Sequence, residues 1–265
     1  MRDAPGKPNA PGLSIPSEQH NIEIARNRQV WGGKPLIREI YRSFYGEIAS
    51  RLRRDLGGAT VELGSGMGNI KEVIPDCVTT DLFSNPWIDR RENAYRLSFG
   101  RGTVANLILC DVWHHLAHPG TALAEFARVL EPGGRLILFE PGMGLLGRLI
   151  YGFFHHEPLG LGRPFAWEAP PGFDPEAAPY FAAQGSATRF FLNRERTDYE
   201  ATWRVVEIRR LAALSYAAAG GFTRLRFYPA AALPAMRALD RLLDLLPGLT
   251  STRLLVVLER RPVPS

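Results

Sequence analysis

The sequence has 265 residues, of which 45% are hydrophobic and 22% are charged. This is the composition of an ordinary globular chain, and it excludes collagen-like, wholly disordered and disulfide-framework proteins. The formal net charge of +5 comes mainly from arginine, and we interpret the surplus as a solvated face, although it would also suit an acidic substrate, a nucleic acid or a membrane surface.

The beginning of the chain predicts a flexible arm. Four prolines and two glycines fall among the first twenty residues, a composition that cannot bury enough apolar surface to offset its ordering entropy. We place this arm at residues 1–30 and one larger domain at residues 31–265. We find no signal peptide and no run of about 18 apolar residues, and Cys77 and Cys110 lie in short apolar runs typical of free thiols. A cytoplasmic location is therefore expected.

Helical patterns and short apolar runs alternate in the next hundred residues. From Pro35 apolar residues recur at helical spacing, and this helix is predicted to end near Gly57. The predicted strands are residues 60–63, 77–80, 105–110 and 135–139, and a further helix is predicted over residues 121–130. Strands separated by helices predict a parallel sheet with helical crossovers.

Residues 142–199 interrupt this alternation with many aromatic residues and prolines. A stretch this long without regular structure is unusual unless it carries function, so we predict a cap over the substrate. A helix over 209–219, a strand over 223–228, an amphipathic helix over 233–246 and a strand over 253–259 are predicted to follow. We expect the amphipathic helix to pack against the sheet. The alternative is a lipid-facing surface, which the apolar run at 145–154 would extend.

A glycine-rich turn follows the first predicted strand and carries the strongest functional signal. It reads Val61-Glu62-Leu63-Gly64-Ser65-Gly66-Met67-Gly68. Glycines at these positions allow a sharp turn and let a ligand approach the backbone closely. The nicotinamide-cofactor fingerprint requires a third glycine at position 69, where Asn69 stands, so a nicotinamide cofactor is not expected.

The glycine spacing, together with Glu62, resembles motif I of class I S-adenosylmethionine-dependent methyltransferases. Further segments resemble that family in the same order along the chain. These are Asp81-Leu82-Phe83, Asn93-Ala94-Tyr95-Arg96-Leu97, Asp111 to Leu116, and Glu125 to Gly134. The resemblance covers residues 36 to 141 and is closest to small-molecule enzymes of methyltransferase type 11. It implies a doubly wound, mostly parallel seven-stranded α/β sheet (Rossmann-like) with the last strand antiparallel, and S-adenosylmethionine as cofactor.

The resemblance also implies roles for individual residues. The Asp81 carboxylate would accept hydrogen bonds from both ribose hydroxyls, and Leu82 would lie against adenine. Asn93 stands where the family has an aspartate; its carbonyl can accept from the adenine amino group, without charge assistance. The predicted cofactor-binding residues are Glu62, Gly64, Ser65, Gly66, Gly68, Asp81, Leu82, Asn93, Ala94 and Asp111.

Catalysis of methyl transfer requires mainly that the two reactants be oriented, because the methyl donor is already activated. A base is needed only if the acceptor must lose a proton, and we select His114, His155 and His156 as candidates. His114 could also be imagined as a metal ligand with His115, His118 and Cys110 or Asp111. That spacing matches no familiar zinc pattern, so no metal is predicted.

We expect methyl transfer to a small-molecule acceptor, which could be lipid-, quinone- or sugar-linked. Ser84-Asn85-Pro86-Trp87 is superficially similar to an element of nucleic-acid amino methyltransferases, but it follows the second strand instead of the fourth, so no nucleic-acid partner is expected. Two alternatives stay open. One is a subunit that binds S-adenosylmethionine without catalysis, and the other is a protein or nucleic-acid methyltransferase.

Overall fold

A computed structural model of the chain describes residues 17–178, 180–223 and 225–262, with side chains from residue 21. The first described element is helix α1 (Ser17–Gly33), so the predicted flexible arm is wrong over residues 17–30. The helix is held because Trp31 is buried against the core and Ile24 packs beside it. Residues 1–16, the rest of the predicted arm, lie outside the described residues.

Seven strands form one sheet in the order β3-β2-β1-β4-β5-β7-β6. The strands are β1 (Ala59–Leu63), β2 (Val78–Asp81), β3 (Arg90–Arg91), β4 (Val104–Cys110), β5 (Leu130–Pro141), β6 (Trp203–Leu211) and β7 (Arg253–Arg260). Strands β1 to β5 pair in parallel, and β7 is antiparallel to both β5 and β6. The predicted doubly wound α/β fold with an antiparallel last strand is therefore confirmed.

Helices cover both faces of this sheet. They are α2 (Pro35–Ala49), α3 (Pro119–Val129), α4 (Leu145–Phe154), α5 (Leu214–Ala218), α6 (Leu233–Leu243) and α7 (Pro247–Thr250). The central strand β4 is apolar apart from Asn106, because its successive side chains face opposite layers and are buried on both. Leu107 packs in the layer that contains Phe126 of α3, whereas Ile108 packs in the layer that contains Tyr41 of α2.

The region after β5 departs from the sequence predictions. The edge strand β6 was not predicted; it follows the predicted insertion and takes the first residues of the helix predicted over 209–219, which is reduced to α5. The described residues of the predicted strand 223–228 form no strand. Part of the insertion also belongs to the core, since Phe190 and Phe191 are buried among the side chains of the sheet and α3.

Helix α6 does not pack its apolar face against the sheet as predicted. Only Leu233, in its first turn, is buried, and Leu239 and Leu242 are exposed. Asp240 and Asp244 face inward instead, where they accept hydrogen bonds from Ser215 and from the backbone of Ala212. Within the described part of the chain, no helix has the length and apolar character needed to cross a membrane.

Candidate functional site

The glycine turn joins the end of β1 to a short 3-10 helix, Asn69–Glu72. Gly64 has a φ of +67°, and a Cβ there would lie 2.3 Å from Cγ2 of Val112, so a larger residue is excluded by both conformation and space. Gly66, with φ of +54°, lies under Ile24 of α1. Helix α1 therefore covers the turn that was predicted to hold the cofactor.

Asp81 lies at the end of β2, directly beside this turn. Its Oδ2 atom accepts a hydrogen bond of 2.9 Å from the backbone N–H of Gly66, which fixes the carboxylate against the turn. The next side chain, Leu82, is 41% exposed and offers an apolar surface beside the carboxylate. A carboxylate and an exposed apolar side chain at adjacent positions suit a ribose and an adenine ring.

Ser65 has a structural part in the turn. Its backbone N–H donates to the carbonyl of Thr80 at 2.7 Å, and its hydroxyl oxygen accepts from Thr80 N–H at 3.1 Å. These bonds hold the ends of β1 and β2 together. They use the side-chain oxygen of Ser65, a residue predicted from the sequence to bind the cofactor.

Glu62 is buried at the end of β1, with only 2% of its surface exposed. One of its carboxyl oxygens, Oε2, has no hydrogen-bond partner among the described residues. Burial, with a contribution from the nearby Asp81 charge, raises the pKa of Glu62 to about 8. A buried acceptor without a donor, next to a glycine turn, fits a cofactor that carries a positive charge and N–H donors, as S-adenosylmethionine does.

Asn93 and Ala94 lie after β3, where the chain meets the insertion. The Asn93 amide nitrogen donates to the carbonyl of Pro175 at 2.9 Å, and its side-chain oxygen accepts from Tyr95 N–H at 3.0 Å. The predicted contact with adenine would use the second lone pair of that oxygen. Asn93 thus also attaches the insertion to the sheet.

Asp111 ends β4 in a left-handed conformation, with φ of +59°, which costs energy for a residue that has a Cβ. Its carboxylate is paired with the guanidinium of Arg253, a side chain that is only 2% exposed. Three aromatic rings surround that guanidinium, and the ring of Tyr216 is the nearest, at 4.6 Å. Arg253 was not recognised from the sequence, because it lies at the start of a strand far along the chain.

His114 and Glu140 form a buried pair behind Asp111. Nδ1 of His114 lies 2.7 Å from Oε2 of Glu140, whose other oxygen accepts from the backbone N–H groups of Val112 and Trp113. Burial alone would lower the pKa of His114, but the carboxylates of Glu140 and Glu157 outweigh it and raise this pKa to about 10. A protonated, enclosed imidazole positions its neighbours and does not accept a proton in this state.

Four histidines surround the carboxylate of Glu157. The nitrogen-to-oxygen distances are 3.6 Å for His114, 3.8 Å for His115, 3.7 Å for His155 and 4.0 Å for His156. Tyr180 and Gln184 also donate hydrogen bonds to the two oxygens of Glu157. Although burial opposes it, the bond from His114 and the neighbouring imidazoles hold the pKa of Glu157 below its usual range. Burial and the charge on His114 lower the pKa of His115 to about 4.

The predicted residues thus fall into two neighbouring groups at the carboxyl ends of the strands. One group contains Glu62, the glycine turn, Asp81 and Leu82, and the other contains His114, His155 and His156. Neither Glu157 nor Gln184 was selected from the sequence. Only the folded chain brings these side chains together, since His114 follows β4 and Glu157 follows α4.

Comparison with known proteins agrees with this arrangement. A family model described as a methyltransferase domain matches residues 62–138. The chain is similar to a chain in the complex between the Haloferax volcanii Trm112 methyltransferase activator and a putative methyltransferase. The sequence identity is 16% and the TM-score is 0.51. The match covers 92% of this chain and 98% of that one.

A second similar structure is an S-adenosylmethionine-dependent methyltransferase from Thermotoga maritima, described as a possible histamine N-methyltransferase. Its identity is 12%, its TM-score 0.51, and the coverage is 92% of this chain and 99% of that one. No curated protein sequence matches the chain significantly. At these identities the structural likeness shows only the fold. The family model adds a sequence match over residues 62–138, the segment that contains the glycine turn and Asp81. Residues 62–138 therefore match a methyltransferase domain, and the chain has the fold of S-adenosylmethionine-dependent methyltransferases.

Proposed function

We propose that the chain transfers a methyl group to a small-molecule acceptor that has an apolar, lipid-like part. The observation that carries this proposal is the position of the insertion: its aromatic segments fold over the carboxyl ends of the strands, beside an exposed apolar surface. Ligands of open α/β sheets bind at that edge. We propose the insertion, residues 142–199, as the substrate cap of the domain.

Backbone contacts from three parts of the insertion support its role as a cap. Ala183 N–H donates to the carbonyl of His114 at 2.9 Å, and Gly120 N–H donates to the carbonyl of Trp167 at 2.8 Å. The third contact is the bond between Asn93 and Pro175 described above. Because these contacts attach the insertion to several loops of the site, it would restrict the acceptor and exclude water.

An exposed apolar surface adjoins the cap and favours an acceptor with a lipid-like part. Two phenylalanines of α4, Phe153 and Phe154, are 78% and 86% exposed, and His155 of the Glu157 cluster follows them directly. Helix α4 packs closely against the chain after α7, where Gly147 lies beside Ser251. We define the apolar surface by its eight exposed side chains, Leu145, Leu149, Phe153, Phe154, Leu242, Leu245, Leu246 and Leu249.

An exposed apolar surface of this kind is unusual on a globular domain, and it suits a peripheral contact with lipid. Arg148 is exposed between the leucines of α4, and the chain carries a net charge of +5, which favours an anionic membrane surface. A lipid-linked acceptor held at such a membrane would enter the site next to Phe154.

The cofactor supplies an activated methyl group, and the chain's own residues bind and orient the reactants. Glu62, the glycine turn and Asp81 would hold the cofactor, and the insertion would hold the acceptor against it. Orientation of this kind can supply most of the acceleration. We propose His155 and His156, whose imidazoles reach solvent, as proton acceptors where the acceptor must lose a proton, and His114 as a positioning residue.

Two other functions remain as alternatives. One similar chain comes from a complex with an activator protein, which favours considering a protein partner and a macromolecular substrate. A subunit that binds the cofactor without catalysis is the other alternative.

Incubation with methyl-labelled S-adenosylmethionine and cell extracts separates these functions. We expect label in the lipid-soluble fraction, and none with the Asp81→Ala variant. Label in the protein or nucleic-acid fraction would replace the proposal with the macromolecular alternative. Cofactor binding measured by calorimetry, with no transfer to any fraction, would favour the non-catalytic subunit.

A further inference from the structure

We propose that His114, His115 and Glu157 form a binding site for a divalent transition-metal ion, with zinc as the ion that fits best. The sequence spacing did not predict a metal here, because Glu157 belongs to the insertion and reaches the two histidines only in the folded chain. The possible ligand atoms of the three side chains all lie within 4.8 Å of one another.

The distances suit a tetrahedral ion. Nε2 of His114 lies 3.6 Å from Oε2 of Glu157, and Nε2 of His115 lies 3.8 Å from Oε1. Zinc bonds of about 2.0–2.1 Å at tetrahedral angles place neighbouring ligand atoms about 3.4 Å apart. The two distances run to different oxygens of Glu157, and the three ligand atoms lie within 4.8 Å of one another, so side-chain rotations that close these separations would form the site. An octahedral ion with bonds of the same length would require separations of about 3.0 Å, which fit less well.

The second nitrogen of each imidazole supports this assignment. Nδ1 of His114 donates to the carboxylate of Glu140, and Nδ1 of His115 donates to the carbonyl of Phe181 at 3.0 Å. Metal-binding histidines nearly always donate their other ring N–H to a carboxylate or a backbone carbonyl. The arrangement directs both Nε2 atoms toward Glu157, ready to bind through their lone pairs once Nε2 of His114 has lost its proton.

His115 gives an independent reason to expect a cation. Because a carbonyl oxygen can only accept, the hydrogen of a neutral His115 is on Nδ1, and its Nε2 presents a lone pair. That lone pair lies 3.8 Å from Oε1 of Glu157, an oxygen that accepts from Tyr180, so two acceptors face each other. A positive ion between the two atoms removes this repulsion.

Glu157 itself is held in place for the role. It is 8% exposed, and Tyr180 and Gln184 each donate to one of its oxygens. Two histidines and one glutamate are the protein ligands of a class of zinc sites that keep a fourth position open. If the proposed function holds, that position lies under the cap and is filled by water or by a heteroatom of the acceptor.

Metal binding can be measured without any acceptor. We expect the purified full-length protein, freed of metal by dialysis against a chelator, to bind one equivalent of Zn²⁺ in calorimetry and to show visible absorption with Co²⁺. His115→Ala and Glu157→Gln should each lower the affinity for Zn²⁺ at least tenfold and abolish the Co²⁺ bands. The matched control is His118→Ala, which removes an imidazole from the same loop and should leave both readouts unchanged.

Circular dichroism and S-adenosylmethionine binding show whether each variant is folded. His115→Ala changes a partly exposed residue, so it keeps the test available if Glu157→Gln fails to fold. Absence of stoichiometric Zn²⁺ binding by the wild type would overturn the proposal, and so would undiminished binding by folded His115→Ala. Neither result depends on methyl transfer, so the proposed function is tested separately.

Discussion

Asp111 and Arg253 join the end of β4 to the start of β7 through a buried ion pair. The pair explains how a residue with a Cβ is held in a left-handed conformation at the edge where the cofactor would bind. The antiparallel last strand therefore contributes directly to the site. It brings a cation from the end of the chain to an acid in the middle.

We predict that Arg253→Met lowers the free energy of unfolding by about 1–3 kcal/mol, because it leaves the Asp111 carboxylate, which is 30% exposed, without its buried partner. Urea unfolding followed by circular dichroism measures the change. The control is Arg204→Met, which removes an arginine that is 58% exposed and paired with Glu259, and should cost less than about 1 kcal/mol. Equal losses for the two variants would contradict a special role of the buried pair.

Asp81→Ala is predicted to weaken S-adenosylmethionine binding by about tenfold to a few hundredfold, since hydrogen bonds to a charged group are worth about 1.5–3 kcal/mol each. Loss of the bond to Gly66 N–H would also loosen the glycine turn. Calorimetry with the cofactor and with its demethylated product checks this. The control is Asp76→Ala, which changes an exposed acid just before β2 and should bind S-adenosylmethionine as the wild type does. A folded Asp81→Ala protein with unchanged affinity would remove Asp81 from the site.

The parallel half of the fold could be predicted because its signals are local. Runs such as Val104–Cys110 are buried on both faces and read as continuous apolar strands between helices. Glycines with positive φ at the end of β1 mark the turn in the sequence itself. Residues that depend on one turn or one strand end, such as Gly64 and Asp81, were therefore placed correctly in the fold.

The remaining features depend on long-range contacts. Strand β6 is an edge strand whose apolar residues are interrupted by three arginines and a glutamate, so its sequence shows no continuous apolar run. Helix α1 was missed because its order depends on Trp31 and Ile24 packing against a distant part of the chain. The cluster around Glu157 combines residues from three separate segments, and no spacing within one segment predicts it.

The free energy of unfolding should depend on pH through Glu62. Burial raises the pKa of Glu62 from 4.5 to about 8 in the folded chain. Between these values the unfolded state has released the proton that the folded state keeps. The contribution of Glu62 to the free energy of unfolding therefore falls as the pH rises, by up to about 1.4 kcal/mol per pH unit. It levels off above pH 8.

Glu62→Gln removes this contribution, so the variant should gain stability relative to the wild type as the pH rises from 5 to 8. Urea unfolding of both proteins at each pH gives the difference. Because other groups titrate equally in the two proteins, the difference isolates Glu62. Parallel stability profiles for the two proteins would show that Glu62 is not held in its protonated form.

Contact with lipid should depend on the two exposed phenylalanines of the apolar surface. We predict that the wild type sediments with vesicles of phosphatidylcholine and phosphatidylglycerol, and that the double change Phe153→Ser and Phe154→Ser lowers the partition coefficient at least tenfold. Full burial of one phenylalanine is worth about 1.5–3 kcal/mol, so partial burial of two exceeds the roughly 1.4 kcal/mol that tenfold requires. Phe227→Ser is the control, since Phe227 is 78% exposed but lies outside the apolar surface. Vesicle binding that survives the double change, or that is lost equally with Phe227→Ser, would show that α4 does not contact the membrane. The acceptor's apolar part would then have to be held by the aromatic side chains of the cap alone.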